Sequence, residues 1–190
     1  FMVKKWKPEI MAIEKVYFSA RTGNERLRLA SQVKDGEDVL VMFAGAAPFP
    51  LVIAKNANPQ SVYAIELNPI AHQYAMQNIE INHLENKIHF YCADVRMQVP
   101  KLQMRFNRII MPLPKTGEEF LSVALPAVKK GGIIHLYSFL EETKLAAYRK
   151  RVRDICKKLK YNARILRTTK CGQFAPGTFR VCFDIKVTSH

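Results

Sequence analysis

"LVMFAGAAPFP", residues 40–50, runs apolar into a corner of small residues and restarts on two prolines. β-favouring residues followed by Ala44-Gly45-Ala46-Ala47 read as a buried strand meeting a tight turn, and Pro48 suits the first turn of a helix. None of Ala44, Gly45 and Ala46 carries a bulky side chain, so backbone there can approach a ligand closely. A phosphate-gripping loop carries more glycines and a following Lys-Ser/Thr pair, and this stretch has neither, which argues against a nucleoside triphosphate site.

The same strand–turn–helix rhythm repeats along the chain. "DVLVMFA" (38–44), "SVYAIEL" (61–67), "KIHFYCADV" (87–95), "RIIMPL" (108–113) and "GIIHLYSFL" (132–140) are near-continuous apolar runs of strand length, as expected of strands buried on both faces of a parallel sheet. Helical patterns separate them. "PIAHQYAMQNIEINH" opens on proline and places Ile70, Tyr74, Met76, Ile79 and Ile81 on a broad apolar side. "GEEFLSVALPAVKKGG" stops on lysines and glycines, and "EETKLAAYRKRVRDICKKLKYN" starts acidic and ends basic, matching the helix dipole. "ARILRTTK" and "TFRVCFDIKV" read as two closing strands joined through "CGQFAPG". Five βα units and an antiparallel pair describe an α/β fold, a mostly parallel, doubly wound sheet, whose ligands bind at the carboxyl ends of the strands.

Composition narrows the function classes. The 190 residues, 48% hydrophobic and 24% charged, suit one well-filled globular core. No apolar run approaches the length of a bilayer span, and no signal-peptide pattern is visible, so no membrane role is expected. Phe1 before Met2 reads as a tag remnant. Cys92, Cys156, Cys171 and Cys182 are scattered without a C-x-x-C pair, which disfavours a disulfide framework or a zinc site and fits a reducing cytoplasm. The net charge of +14 is lopsided: residues 1–95 hold 10 Lys+Arg and 10 Asp+Glu, whereas residues 96–190 hold 20 and 6. A charge confined to one half points to a directed basic surface and a polyanionic partner.

Two carboxylates follow the opening turn at the ends of successive strands. Glu66 in "AIELNP" stands about 20 residues after the small-residue loop, where a carboxylate can accept hydrogen bonds from both hydroxyls of a ribose. A plain helix start, with Asn68 as N-cap, remains the alternative. Asp94 in "CADVR" can accept from an adenine amino group, or can be a cap or turn aspartate. Together the loop and the carboxylates describe a nucleoside lying across the sheet edge with no phosphate-gripping lysine. S-adenosylmethionine is a ligand of that kind.

"EKVYFSARTGNERLRLASQVKDGEDVLVMFAGAAPFPLVIAK", "YAIELNPIAHQYAMQNIEINHLENKIHFYCADVR", "NRIIMPLPKTGEEFLSVALPAVKKGGIIHLYSF" and "GQFAPGTFRVCFDIKV" resemble the catalytic domain of the archaeal and eukaryotic tRNA (guanine-37-N1)-methyltransferases, a family that includes the wybutosine-pathway aminocarboxypropyl transferases. The resemblance runs from about residue 14 onward, so the chain divides into a lead-in, residues 1–14, and a catalytic domain, residues 15–190. It implies a Rossmann-like class I fold, S-adenosylmethionine as cofactor, no metal, and tRNA as substrate. It further implies that Phe43, Ala44 and Gly45 approach the cofactor, Glu66 holds its ribose with Leu67 alongside, and Asp94 with Val95 frames its adenine. Glu25 and Arg26 match a family Glu-Arg pair in which the glutamate accepts a proton and the arginine contacts the cofactor. Either Arg26 or Arg21 could hold the guanine O6. The resemblance also implies that Pro112, in the Pro112-Leu113-Pro114 motif after the fourth strand, belongs to both the catalytic and the cofactor-binding residues.

Departures from the family pattern set the alternatives. Its loop normally reads D-M-F-A-G-V-G-P-F, and here Val41 replaces the aspartate and Ala47 the second glycine. Most members carry Asn-Leu-Pro where Pro112 begins this motif, although some archaeal members share the Pro-x-Pro form. Family members also place further domains ahead of this one: if Met2 is the native start, a minimal enzyme must find RNA with its own basic half, and if the chain is a trimmed piece, weak tRNA binding and low activity are expected. Arg149, Lys150 and Arg153 on the "EETKLAAYRKRVRDICKKLKYN" helix, with Arg21, Lys115 and Arg180, are the expected phosphate contacts, and a monomer is expected. The leading reading is methyl transfer to N1 of the guanine 3′ to the anticodon. Aminocarboxypropyl transfer or methylation of a wybutosine intermediate is the sister reading, and an RNA-binding module with a decayed cofactor loop is the non-catalytic one.

Overall fold

The computed structural model describes residues 23–113 and 115–189. The lead-in, Arg21 and Pro114 lie outside the described residues.

The chain divides into two compact units, residues 1–98 and 99–190. In the first, α1 (Gly23–Ala30) precedes β1 (Asp38–Met42), α2 (Pro48–Asn56), β2 (Ser61–Glu66), α3 (Pro69–Ile81), β3 (Ile88–Cys92) and the start of α4 (Val95–Lys101). β1, β2 and β3 pair in parallel, with Met42 opposite Ile65 and Glu66 opposite Cys92, so their carboxyl ends stop at one level. Val39, Leu40, Val41 and Met42 are fully buried. Burying each such side chain stabilises the fold by about 1.5–3 kcal/mol, which is why an unbroken apolar run specifies a central strand.

In the second unit β4 (Phe106–Met111), α5 (Leu121–Ala127), β5 (Val128–Glu141), α6 (Leu145–Lys158), β6 (Asn162–Ala175) and β7 (Thr178–Ser189) follow in order. β4 and β5 are parallel, and β7 pairs antiparallel with both β5 and β6. The alternation expected from the apolar runs is therefore present: a mixed α/β fold of seven strands, mostly parallel, closing on antiparallel strands.

Three details differ from the sequence expectations. "VKKGG" is the start of β5 and not the tail of a helix: α5 stops at Ala127, and Val128 is already extended. The closing hairpin is longer than expected, leaving only Pro176 and Gly177 between its strands. In α3 the buried face is Ala71, Ala75, Asn78 and Ile79, whereas Ile70, Met76 and Ile81 are 41–48% exposed. The apolar periodicity there points to large residues, but the small Ala71 and Ala75 share the inward side with Asn78 and Ile79.

Candidate functional site

The opening turn is held by a run of left-handed residues. Phe43 (φ 56°), Gly45 (φ +57°) and Ala47 (φ 69°) alternate with ordinary ones, folding the chain from β1 into α2. Gly45 has open space beside it: a Cβ there would meet nothing within 4 Å. Ala47 is the N-cap of α2 and is fully buried, so its methyl group packs inside the fold. Val41, the other departure in this motif, is likewise sealed in β1.

Two side chains from later elements fix this turn. Glu66, the last residue of β2, accepts the Gly45 N–H on Oε2 and the Asn68 N–H on Oε1, both at 2.8 Å. Asn78 in α3, 3% exposed, donates from Nδ2 to the Ala46 carbonyl at 3.2 Å. Nothing in the sequence distinguishes Asn78 from any other helical asparagine. Asn68 also caps α3 through its side chain, accepting the Ile70 N–H at 2.9 Å, so the cap and the ligand readings of "ELNP" are compatible.

Asp94 begins α4, its carbonyl accepting the N–H groups of Met97 and Gln98. Its carboxylate is clasped by Arg96, which donates from its backbone N–H to Oδ1 at 2.8 Å and from Nη2 to Oδ2 at 2.7 Å. These hydrogen bonds hold the Asp94 carboxyl below the usual carboxylate range. Leu67, 65% exposed, follows Glu66, while Val95 is buried behind Asp94. Loop, Glu66 and Asp94 thus sit together at the carboxyl ends of three adjacent parallel strands.

On α1, Glu25 and Arg26 are both buried, 6% and 4% exposed, and not on a surface helix face. The carboxylate of Glu25 forms a fork with Arg28 one turn on, Nε–Oε2 at 2.6 Å and Nη2–Oε1 at 2.7 Å. Arg28 is the partner that the Glu-Arg motif conceals.

In the second unit, half-buried Pro112 and Leu113 leave β4, and Lys115 and Thr116 beyond them are exposed. Further along, Glu118, 7% exposed, accepts the Tyr148 hydroxyl hydrogen bond at 2.9 Å and pairs with Arg151 at 3.2 Å, which anchors this connection to α6. Burial and that carboxylate push the Tyr148 hydroxyl well above its ordinary range. Arg149, Lys150 and Arg153 are exposed, as a phosphate-facing surface requires, although Lys150 also pairs with Asp154 at 2.7 Å. Arg180 is different. It is 8% exposed with its guanidinium 5.0 Å from the Tyr137 ring, so it does not join that exposed set.

The same unit encloses a buried polar chain that no sequence motif announces. Arg108 Nη1 lies 2.7 Å from His135 Nε2, and His135 Nδ1 lies 2.7 Å from Asp184 Oδ1. A guanidinium only donates, so Nε2 accepts and Nδ1 carries the proton given to Asp184. The Cys182 thiol donates to the same oxygen at 3.4 Å. His135, Cys182 and Asp184 bring ligating atoms within 4.8 Å of one another, yet both imidazole nitrogens are already committed to protein partners. Each residue sits in an apolar strand in the sequence, and only strand register brings them together.

A protein-family model described as the TRM5/TYW2 methyltransferase domain matches residues 9–164. The chain is 33% identical over 177 residues to a Pyrococcus abyssi protein named tRNA (guanine(37)-N(1))-methyltransferase Trm5b, covering 93% of this chain and 52% of the relative. It is 30% identical to the tRNA(Phe) (4-demethylwyosine(37)-C(7)) aminocarboxypropyltransferase of Methanocaldococcus jannaschii, covering 92% of this chain and 69% of that protein. The solved structure of M. jannaschii TYW2 in complex with AdoMet superposes with a TM-score of 0.85 at 29% identity, over 95% of this chain and 81% of that one. The chain spans about half the length of the guanine-37 relatives it matches.

Proposed function

This chain belongs to the TRM5/TYW2 methyltransferase domain family, and from that premise we propose that it binds S-adenosylmethionine and methylates N1 of guanine 37 in tRNA. The observation that carries the cofactor half is Glu66, whose carboxylate is aimed by Gly45 and Asn68 at the carboxyl edge of the parallel strands. Each of its oxygens keeps capacity for a further hydrogen bond, which is what two ribose hydroxyls require. The open space at Gly45 lets the cofactor meet backbone, and Asp94 offers an ionised acceptor one strand further along for an adenine amino group.

When bound, the cofactor supplies a sulfonium methyl carbon open to attack by a nitrogen lone pair. Guanine N1 carries a proton that leaves as N1 attacks, and Glu25 is proposed to accept it. General-base assistance of this kind contributes about 10²–10⁴-fold. Arg28 holds the Glu25 carboxylate in one orientation from within the same helix. Arg26 is proposed to contact the cofactor and Pro112 to bound the acceptor base. Lys115, Arg149, Lys150 and Arg153 are proposed to meet RNA phosphates, and the four free cysteines suit a reducing cytoplasm.

The likeness to an aminocarboxypropyltransferase, supported by the TYW2 superposition, favours one second reading, transfer of the larger group to the same nucleotide. One experiment separates the two. S-adenosylmethionine is titrated into the protein by calorimetry, unmodified tRNA is added, and the digested nucleosides are weighed. A methyl gain on guanine, lost in Glu25→Gln, is the expected result. A gain of an aminocarboxypropyl group would replace it with the sister activity, and absence of cofactor binding would overturn both.

A further inference from the structure

We propose that Phe174 and Phe139 form a stacking platform for an unpaired nucleobase of the RNA substrate, an inference that rests on the RNA-directed reading above. β5 continues beyond its partner β4: Met111, the last residue of β4, lies opposite Leu136, whereas β5 runs on to Glu141, opposite Thr178 at the hairpin turn. Those five further residues carry the strand about 16 Å past the end of β4. The antiparallel strands therefore project as a wall beyond the carboxyl end of β4, the end from which Pro112 and Leu113 leave the sheet.

Phe139 and Phe174 sit on that projecting wall, stacked with ring centroids 4.0 Å apart and planes inclined by 21°. Phe139 is half-buried, but Phe174 is 54% exposed. A preformed aromatic pair is thus open to solvent beyond the strand end that carries Pro112, the residue proposed to bound the acceptor base. An exposed phenylalanine held flat against another ring has already lost rotamer freedom, so ordering it on binding costs little.

Charge decides what this platform suits. The acidic groups near the hairpin are already paired, Glu142 with Lys170 at 2.8 Å and Glu141 with Lys144 at 2.9 Å. Arg180, directly opposite Phe139 in the register, is buried with its charge against Tyr137, and its Nε finds no hydrogen-bond partner among the described residues. A permanent positive charge is therefore fixed in the strand that supports the platform, in the half of the chain that carries the basic excess. An aromatic face in positive surroundings is the combination that binds single-stranded nucleic acid, where stacking accepts any base.

The test uses the full chain with an unmodified anticodon stem-loop carrying a guanine 3′ to the anticodon. Phe174→Ala and Phe174→Leu are compared with Phe174→Tyr, reading RNA Kd by anisotropy, KM and kcat for transfer, cofactor Kd by calorimetry, and Tm. The Ala and Leu variants are expected to weaken RNA binding about tenfold and raise KM in step, with the Tyr variant retaining affinity. A 2-aminopurine placed in the loop should be quenched by the wild type and not by the Leu variant. An unchanged RNA Kd in Phe174→Leu would overturn the platform while leaving the enzyme reading intact. So would a change confined to self-association or Tm, which would make the pair a protein contact. No RNA binding by the wild type, despite cofactor binding, would instead remove the RNA reading on which the platform rests.

Discussion

The Glu66 carboxylate and the Gly45 backbone N–H meet at 2.8 Å across 21 residues of sequence. That bond ties the end of β2 to the turn after β1, so the residue proposed to read the ribose also shapes the loop proposed to receive the cofactor. Glu66→Ala should therefore remove both, weakening S-adenosylmethionine binding by about tenfold or more, since hydrogen bonds to charged groups contribute about 1.5–3 kcal/mol each. Glu66→Gln keeps one acceptor and should lose less. Calorimetric Kd values for the two variants check the order.

Ala47 tests whether the left-handed turn tolerates a side chain. An L-residue in that region carries a cost of about 1–2 kcal/mol, while its buried methyl contributes about 0.8 kcal/mol and glycine adds unfolded-state entropy. These terms nearly cancel, so Ala47→Gly should change stability by less than about 1 kcal/mol. Ala47→Val, β-branched and without space at a fully buried site, should cost more than about 2 kcal/mol. Urea unfolding separates the two outcomes.

Asp184 closes the Arg108–His135 chain inside the second unit. Asp184→Ala removes the acceptor of the buried His135 Nδ1–H and the carboxylate that ends the Arg108–His135 chain, and should cost about 3–5 kcal/mol. Asp184→Asn can keep an oxygen facing His135 Nδ1 and should cost less. Equal losses in the two variants, measured by denaturant midpoint, would show that the network contributes only packing.

Cys156 is 2% exposed on α6, and burial pushes its thiol up to about 11, whereas an open thiol ionises near 9.0. Between those values the unfolded chain releases the proton first, so stability falls as pH rises from about 9 to about 11 and is unaffected below that window. Cys156→Ala should flatten this part of the stability curve. In the native protein at about pH 8, below both values, exposed Cys92 should react with a thiol reagent well before Cys156.

The basic face of α6 should reveal itself through salt. Arg149→Glu with Arg153→Glu should weaken tRNA binding and reduce the slope of log K against log salt by about 1.5–2, as expected for two lost phosphate contacts. Lys150, which already shares its charge with Asp154, should contribute less than either arginine.

The order of strands and helices is legible in the sequence because a strand buried on both faces must be apolar throughout, and five such runs alternate with helical patterns. Glu66 and Asp94 are legible for a related reason: in parallel strands of similar length, residues at strand ends gather at one edge. The inward face of α3 is not legible, since Ala71 and Ala75 are small enough to bring the helix close and leave Ile70 and Met76 outside. Arg180 reads as a surface cation, but its position in β7 turns it inward onto Tyr137.

The alternation of elements, the small-residue turn and the carboxylates that follow it are thus written into the chain itself, because they depend on local periodicity and on spacing along the backbone. Folding in three dimensions added the rest: Arg28 forks Glu25, Asn78 pins Ala46, and Arg108, His135, Asp184 and Cys182 share one hydrogen-bonded chain. Side-chain partners depend on direction and distance in space, and across strands they depend on register, which no periodicity within a single segment encodes.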